Sequence, residues 1–132
     1  MGIYDDLLAI KGSGTPFDKL VPIASDKAGN ITSSFGSVPQ DYISFLLEIG
    51  AGELGDSAYM IYDGLLDPEE IDGELSPKLE NVLVLGDDFQ GFNAGFNISN
   101  WSVVEIDLTN MSVYPVAPDF QTFIRGKLNE LT

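Results

Sequence analysis

The stretch LVLGDDFQGFNAGF, residues 83–96, joins two apolar segments through a glycine-punctuated bend. Its reading decides the fold. ENVLVLG, residues 80–86, is a short continuous apolar run, which predicts a central strand covered on both faces. Beyond the bend, NAGFNI places Ala94, Phe96 and Ile98 on one side at a period of two. Gly86 is expected to end the first strand, and Gly91 to take a positive φ or to allow close backbone approach.

Three chemistries compete for this bend. GDDFQG matches G-x-x-x-x-G, but Phe92 and Asn93 stand where a phosphate-binding loop needs Lys and Ser or Thr. Asp87 and Asp88 would repel an anion there. A calcium loop wants carboxylates or amides at alternate positions, and Phe89, Gly91 and Phe92 break that spacing. The third reading is structural, with Phe89, Phe92 and Phe96 divided between core and surface. An exposed Phe beside two Asp makes a contact patch.

Working outward, VVEIDL, residues 103–108, puts Val104, Ile106 and Leu108 on one face and Glu105 and Asp107 on the other. The acids are expected opposite the core. SVYPV, residues 112–116, reads as a last strand, at an edge because of Pro115. A strand is expected over residues 58–63, and DPEEI, residues 67–71, reads as a capped helical turn. Ser99 and Asn100 suit a turn.

Helices flank this sheet. Tyr42, Phe45, Leu46 and Ile49 form one stripe after Pro39, with Gly50 and Gly52 as the stop. Phe120, Phe123, Ile124, Leu128 and Leu131 form a second stripe near the C-terminus. A short helix is expected around Tyr4, Leu7 and Leu8. Residues 11–37 look irregular, with part of them packing as a strand or arm. The pattern is α+β: one domain, a mainly antiparallel sheet of about five or six strands, and helices near both ends packed on it.

Composition narrows the function. The 132 residues include no Cys and no His, which removes disulfides, thiolate metal sites, Cys nucleophiles and the usual general base. Adjacent acid pairs such as Asp87–Asp88 or Glu69–Glu70 are a weak signal for a carboxylate hydrolase, because 21 acids generate such pairs by chance. No cofactor or metal site is expected. The formal net charge is −15, and residues 31–124 hold nearly all of the excess. Such a surface repels nucleic acid and anionic membrane and attracts a basic protein; it also serves solubility. No apolar run approaches the length of a membrane helix, and no basic leader precedes an apolar stretch, so a cytoplasmic protein is expected. The sequons at Asn30, Asn97 and Asn110 then read as chance.

The order of pieces resembles the SUKH superfamily, the Smi/Knr-like proteins. VPQDYISFLLEIGAGEL, YDGLLDPEEI, VLVLGDDFQGFNAGFNI, VVEIDL and DFQTFIRGKL follow one another as that family's motifs do. Val38, Pro39, Asp41 and Tyr42 match the helix start, and Gly50 and Gly52 its exit. Pro68, Glu70 and Ile71 match the short turn. Gly86, Asp88 and Gly91 match the bend, and Phe120 and Phe123 the closing helix. The likeness covers residues 38–128, while residues 1–37 diverge, since family members run a longer first helix into the Pro motif. The resemblance implies a non-enzymatic binding domain without shared catalytic residues. Many bacterial relatives are immunity proteins that neutralise a toxin, often a nuclease or deaminase; fungal relatives regulate cell-wall synthesis and signalling. The implied partner here is a basic toxin. Asp87, Asp88, Glu105 and Asp107 are its expected contacts, with Phe89 or Trp101 as anchor. An acidic scaffold or regulatory domain is the alternative.

Overall fold

The computed structural model describes residues 3–55, 58–66, 81–107, 109 and 112–131. Helix α3, Gln40–Glu48, forms where the stripe predicts it, and Tyr42, Phe45, Leu46 and Ile49 are all fully buried. The C-terminal helix α4, Phe120–Leu131, buries Phe120, Phe123, Ile124 and Leu128. Between these helices an aromatic cluster packs edge to face. Tyr42 lies 5.2 Å from Phe96 and 5.1 Å from Phe120, and Phe45 lies 5.4 Å from Phe120, centroid to centroid. Such contacts add to the area the rings bury.

Among the described residues, six strands form one antiparallel meander in the order β1-β2-β3-β4-β5-β6. They are β1 Gly52–Leu54, β2 Tyr59–Leu66, β3 Val82–Asp87, β4 Phe92–Asn97, β5 Ser102–Asp107 and β6 Ser112–Ala117. β3 is interior and buried from Val82 to Gly86, as its continuous apolar run predicts. Both sheet faces are apolar. Ile61, Leu83, Leu85, Ala94, Phe96 and Val103 meet the helices, while Val82, Val84, Val104 and Ile106 form a separate buried cluster on the other face. β6 is an edge strand, and Pro115 sits on it.

Several expectations need correction. Gly86 does not end β3; it lies inside the strand, which runs on to Asp87. A bulge falls between Val84 and Gly86, and a Cβ on Gly86 would stand 2.2 Å from the Met60 carbonyl oxygen. Close strand approach, rather than termination, is what requires glycine there. β2 extends to Leu66 rather than stopping at Asp63. Ile98 falls beyond β4 and is exposed, as is Leu8. DPEEI and Leu108 lie outside the described residues.

The N-terminal region is more regular than its composition implies. α1 spans Asp5–Ile10, and α2 spans Ser25–Phe35 with Ala28 and Ile31 buried. SDKAGNITSSF has poor helix propensity and a sparse apolar stripe, so packing rather than propensity makes this helix. The segment between α1 and α2 is a packed arm. Asp18 accepts hydrogen bonds from the N–H groups of Gly12 (2.7 Å), Gly14 (2.8 Å) and Thr15 (3.0 Å). Phe17 and Leu20 are buried, and Val21 and Ala51 exchange two backbone bonds of 3.0 Å. Gly50 permits that contact, since a Cβ on it would lie 2.3 Å from the Val21 carbonyl carbon. Among the described residues, no helix is long and apolar enough to cross a membrane.

Candidate interaction surface

The bend between β3 and β4 is built by its two carboxylates. Asp87 accepts the Phe89 N–H at 2.9 Å, and its other oxygen accepts the Tyr62 hydroxyl. Burial raises the pKa of Tyr62, and the hydrogen bond to Asp87 and the charge of Asp87 raise it further. The phenol therefore remains a donor. Asp88 accepts from the N–H groups of Gln90 (2.8 Å) and Phe92 (3.1 Å), while its own N–H donates to the Phe92 carbonyl at 3.0 Å. These are side-chain turns of the kind Asp favours. Charge reversal at either Asp would remove a turn cap as well as a charge.

The bend turns two phenyl rings outward. Phe89 is 51% exposed and Phe92 38%, whereas Phe96 is fully buried. Phe89 also holds φ at 64°, a left-handed conformation that is unfavourable for a bulky residue. Gly91 takes φ 101°, as the sequence leads one to expect. Phe92 pairs with Asp107 across β4 and β5. Asp107 in turn accepts the Thr109 N–H at 3.0 Å and the Thr109 hydroxyl at 2.6 Å. One end of the sheet thus gathers Asp88, Phe89, Phe92 and Asp107, apolar area with a negative rim.

The remaining predicted contacts lie elsewhere. Neither Glu105 nor Asp107 lies on the face opposite the helices, since both alternate onto the Val103 face; the Glu105 carboxylate lies 3.9 Å from the Lys127 ammonium of α4. The alternation in VVEIDL is present, but both sheet faces are buried, so apolar residues on one face do not locate the helices. Trp101 stands at the far end of the β4–β5 hairpin from Asp107, beyond the Asn97–Ser102 pair. It has φ 56° and packs edge to face on Phe96 at 5.6 Å. With strands rising about 3.4 Å per residue, the hairpin places roughly 17 Å between its two ends. Trp101 is therefore not part of the cluster at the bend, although both lie within the span of one ordinary protein interface.

The described positions that carry the resemblance lie in the core, at a helix start, at close backbone contacts or in the bend. Pro39 is the N-cap residue of α3, with extended backbone. Tyr42 is buried in the aromatic cluster, and its hydroxyl has no hydrogen-bond partner among the described residues. Gly50 accommodates the arm, and Gly52 opens β1. Pro68, Glu70 and Ile71 lie outside the described residues. Phe92 was not singled out as a surface residue by the sequence; its signal is the cross-strand pairing with Asp107, which no local pattern reveals.

No family model matches this chain, and no curated protein matches it.

Proposed function

We propose that this chain is a non-enzymatic protein-binding domain of the immunity type, which neutralises a basic toxin domain by direct contact. The observation that carries this reading is the bend itself: Phe89 is exposed in an unfavourable backbone conformation beside carboxylates, in a chain of formal net charge −15. A phenyl held at positive φ costs strain, and while it stays exposed it contributes little burial energy to folding. Partner contact is a use that offsets the strain and buries the ring. Acids around an aromatic anchor would speed association with a basic surface, and the anchor would slow dissociation. The resemblance to Smi/Knr-like proteins supports the same reading.

The test begins with genomic context. Where an adjacent reading frame encodes a large secreted protein, its C-terminal domain is expressed and titrated with this chain by calorimetry. The expected result is saturable binding that weakens with salt, together with protection of cells expressing the domain. Lack of both binding and protection overturns the immunity reading.

A further inference from the structure

We propose that the notch between the β3–β4 bend and the C-terminal half of α4 is a socket for an arginine side chain of a basic protein partner, an inference that rests on the reading above. The notch has a volume of about 220 Å³, and its lining includes Tyr59, Asp88, Gln90, Lys127 and Glu130. Tyr59 is 3% exposed, and its hydroxyl is buried without a hydrogen-bond partner among the described residues. A buried polar group left unpaired is unfavourable and marks a place where a partner atom is missing. Glu105, Asp88 and Asp87 are the carboxylates whose charge acts on this phenol. The hydroxyl is covered in the free protein, so a donor entering the notch pairs with it only as the side chains over it give way.

The surroundings favour a cation. Lys127 is the resident one, 5.1 Å from the Tyr59 ring centroid. Its single charge is met by Glu130 at 3.4 Å and Glu105 at 3.9 Å, and Asp88 is a third carboxylate, so acids outnumber the one cation and the notch is net negative. The last turn of α4 carries no basic residue, so its carbonyl ends add negative potential at the same place. Among the described residues, no three carboxylates stand close enough together to hold a metal ion. Acids spread around a cavity suit a broad, delocalised cation with forked donors, which is a guanidinium.

The probe is N-acetyl-L-argininamide, titrated into the ¹⁵N-labelled protein, with the uncharged isostere N-acetyl-L-citrullinamide as control. The expected result is saturable shifts at the amides of Ala58, Asp88, Gln90 and Leu131 with the arginine compound alone. Glu130→Gln and Tyr59→Phe should each weaken binding about fivefold, the scale of one charge-assisted contact at a partly exposed site. Both variants leave the turn caps of Asp87 and Asp88 in place. Shifts spread evenly over the acidic surface, an equal response to the citrulline compound, or unchanged affinity in both variants would overturn the socket. A basic toxin domain that binds Glu130→Gln and Tyr59→Phe as tightly as the parent would also overturn it, and would leave the immunity reading standing. Saturable arginine binding in the notch, together with a toxin domain that neither binds this chain nor is neutralised by it, would uphold the arginine site and overturn the immunity reading.

Discussion

The carboxylate of Asp41 accepts the backbone N–H of Gln121 at 2.9 Å, joining the first turns of α3 and α4 across 80 residues of chain. The same carboxylate accepts the Tyr42 N–H at 2.8 Å, and the Asp41 carbonyl accepts the Tyr4 hydroxyl at 2.9 Å. One residue thus fastens three helices around the aromatic cluster. Asp41→Ala should lower stability by about 1–2 kcal/mol, the cost of a lost cap, and Asp41→Asn by less, because the amide retains an acceptor. Urea unfolding of the two variants measures the difference; equal losses would mean the contact depends on charge alone.

Phe45 is fully buried and meets Tyr4 and Phe120 edge to face at 5.3 and 5.4 Å. Phe45→Ala removes both contacts and leaves a cavity where α3 crosses α4. The expected loss is about 3–5 kcal/mol. A loss below about 1 kcal/mol in denaturant unfolding would show that the cluster repacks freely.

At the bend, strain and exposure make opposite predictions for folding and for binding. Phe89→Gly relieves φ 64° and should leave the protein as stable as the parent or more stable by up to about 1 kcal/mol. The same variant should weaken binding to the toxin domain at least tenfold, as loss of an aromatic anchor does. A stabilised variant that still binds at full strength would make the bend purely structural.

Asp18 sets a pH dependence. The hydrogen bond from Thr15, together with those from the N–H groups of Gly12, Gly14 and Thr15, holds its carboxyl below the ordinary 3.8 despite partial desolvation. A carboxyl depressed in the folded state contributes stability above its unfolded value, and that contribution is lost as pH falls through the folded value. The arm should therefore loosen only below about pH 4. Following the Gly12 and Gly14 amides by NMR through acid titration checks this, and loosening that starts near pH 6 would contradict it.

Charge repulsion acts on the whole fold. Lys19, Lys27, Arg125 and Lys127 each stand within 4.0 Å of a carboxylate, and Lys11 donates to the Ile49 carbonyl at 2.7 Å, so the described cations are already engaged while most acids repel one another. The melting temperature should rise as NaCl increases from about 10 to 150 mM, because the Debye length shortens from about 30 to 8 Å. A falling curve would place more stability in the ion pairs than repulsion removes.

The local sequence determined the elements whose periodicity is strong. The α3 and α4 stripes, the buried run of β3, the alternation in β5 and the edge position of Pro115 all follow from side-chain spacing and from what proline cannot donate. Helix α2 was illegible, because three apolar residues in eleven outweigh poor propensity only once β2 and α3 supply a surface to pack on. The direction of Glu105 was equally hidden. Alternation tells which side chains share a face, but with Val104 and Ile106 buried on one face and Val103 on the other, only the placement of α4 decides which acids meet a helix. The site divided in the same way. Asp87, Asp88 and Phe89 are neighbours in the chain, so their turn could be read directly. Phe92 beside Asp107, Trp101 at the opposite end of its hairpin, and the unpaired Tyr59 hydroxyl under Lys127 depend on strand register and helix packing, which arise from contacts between residues far apart in sequence.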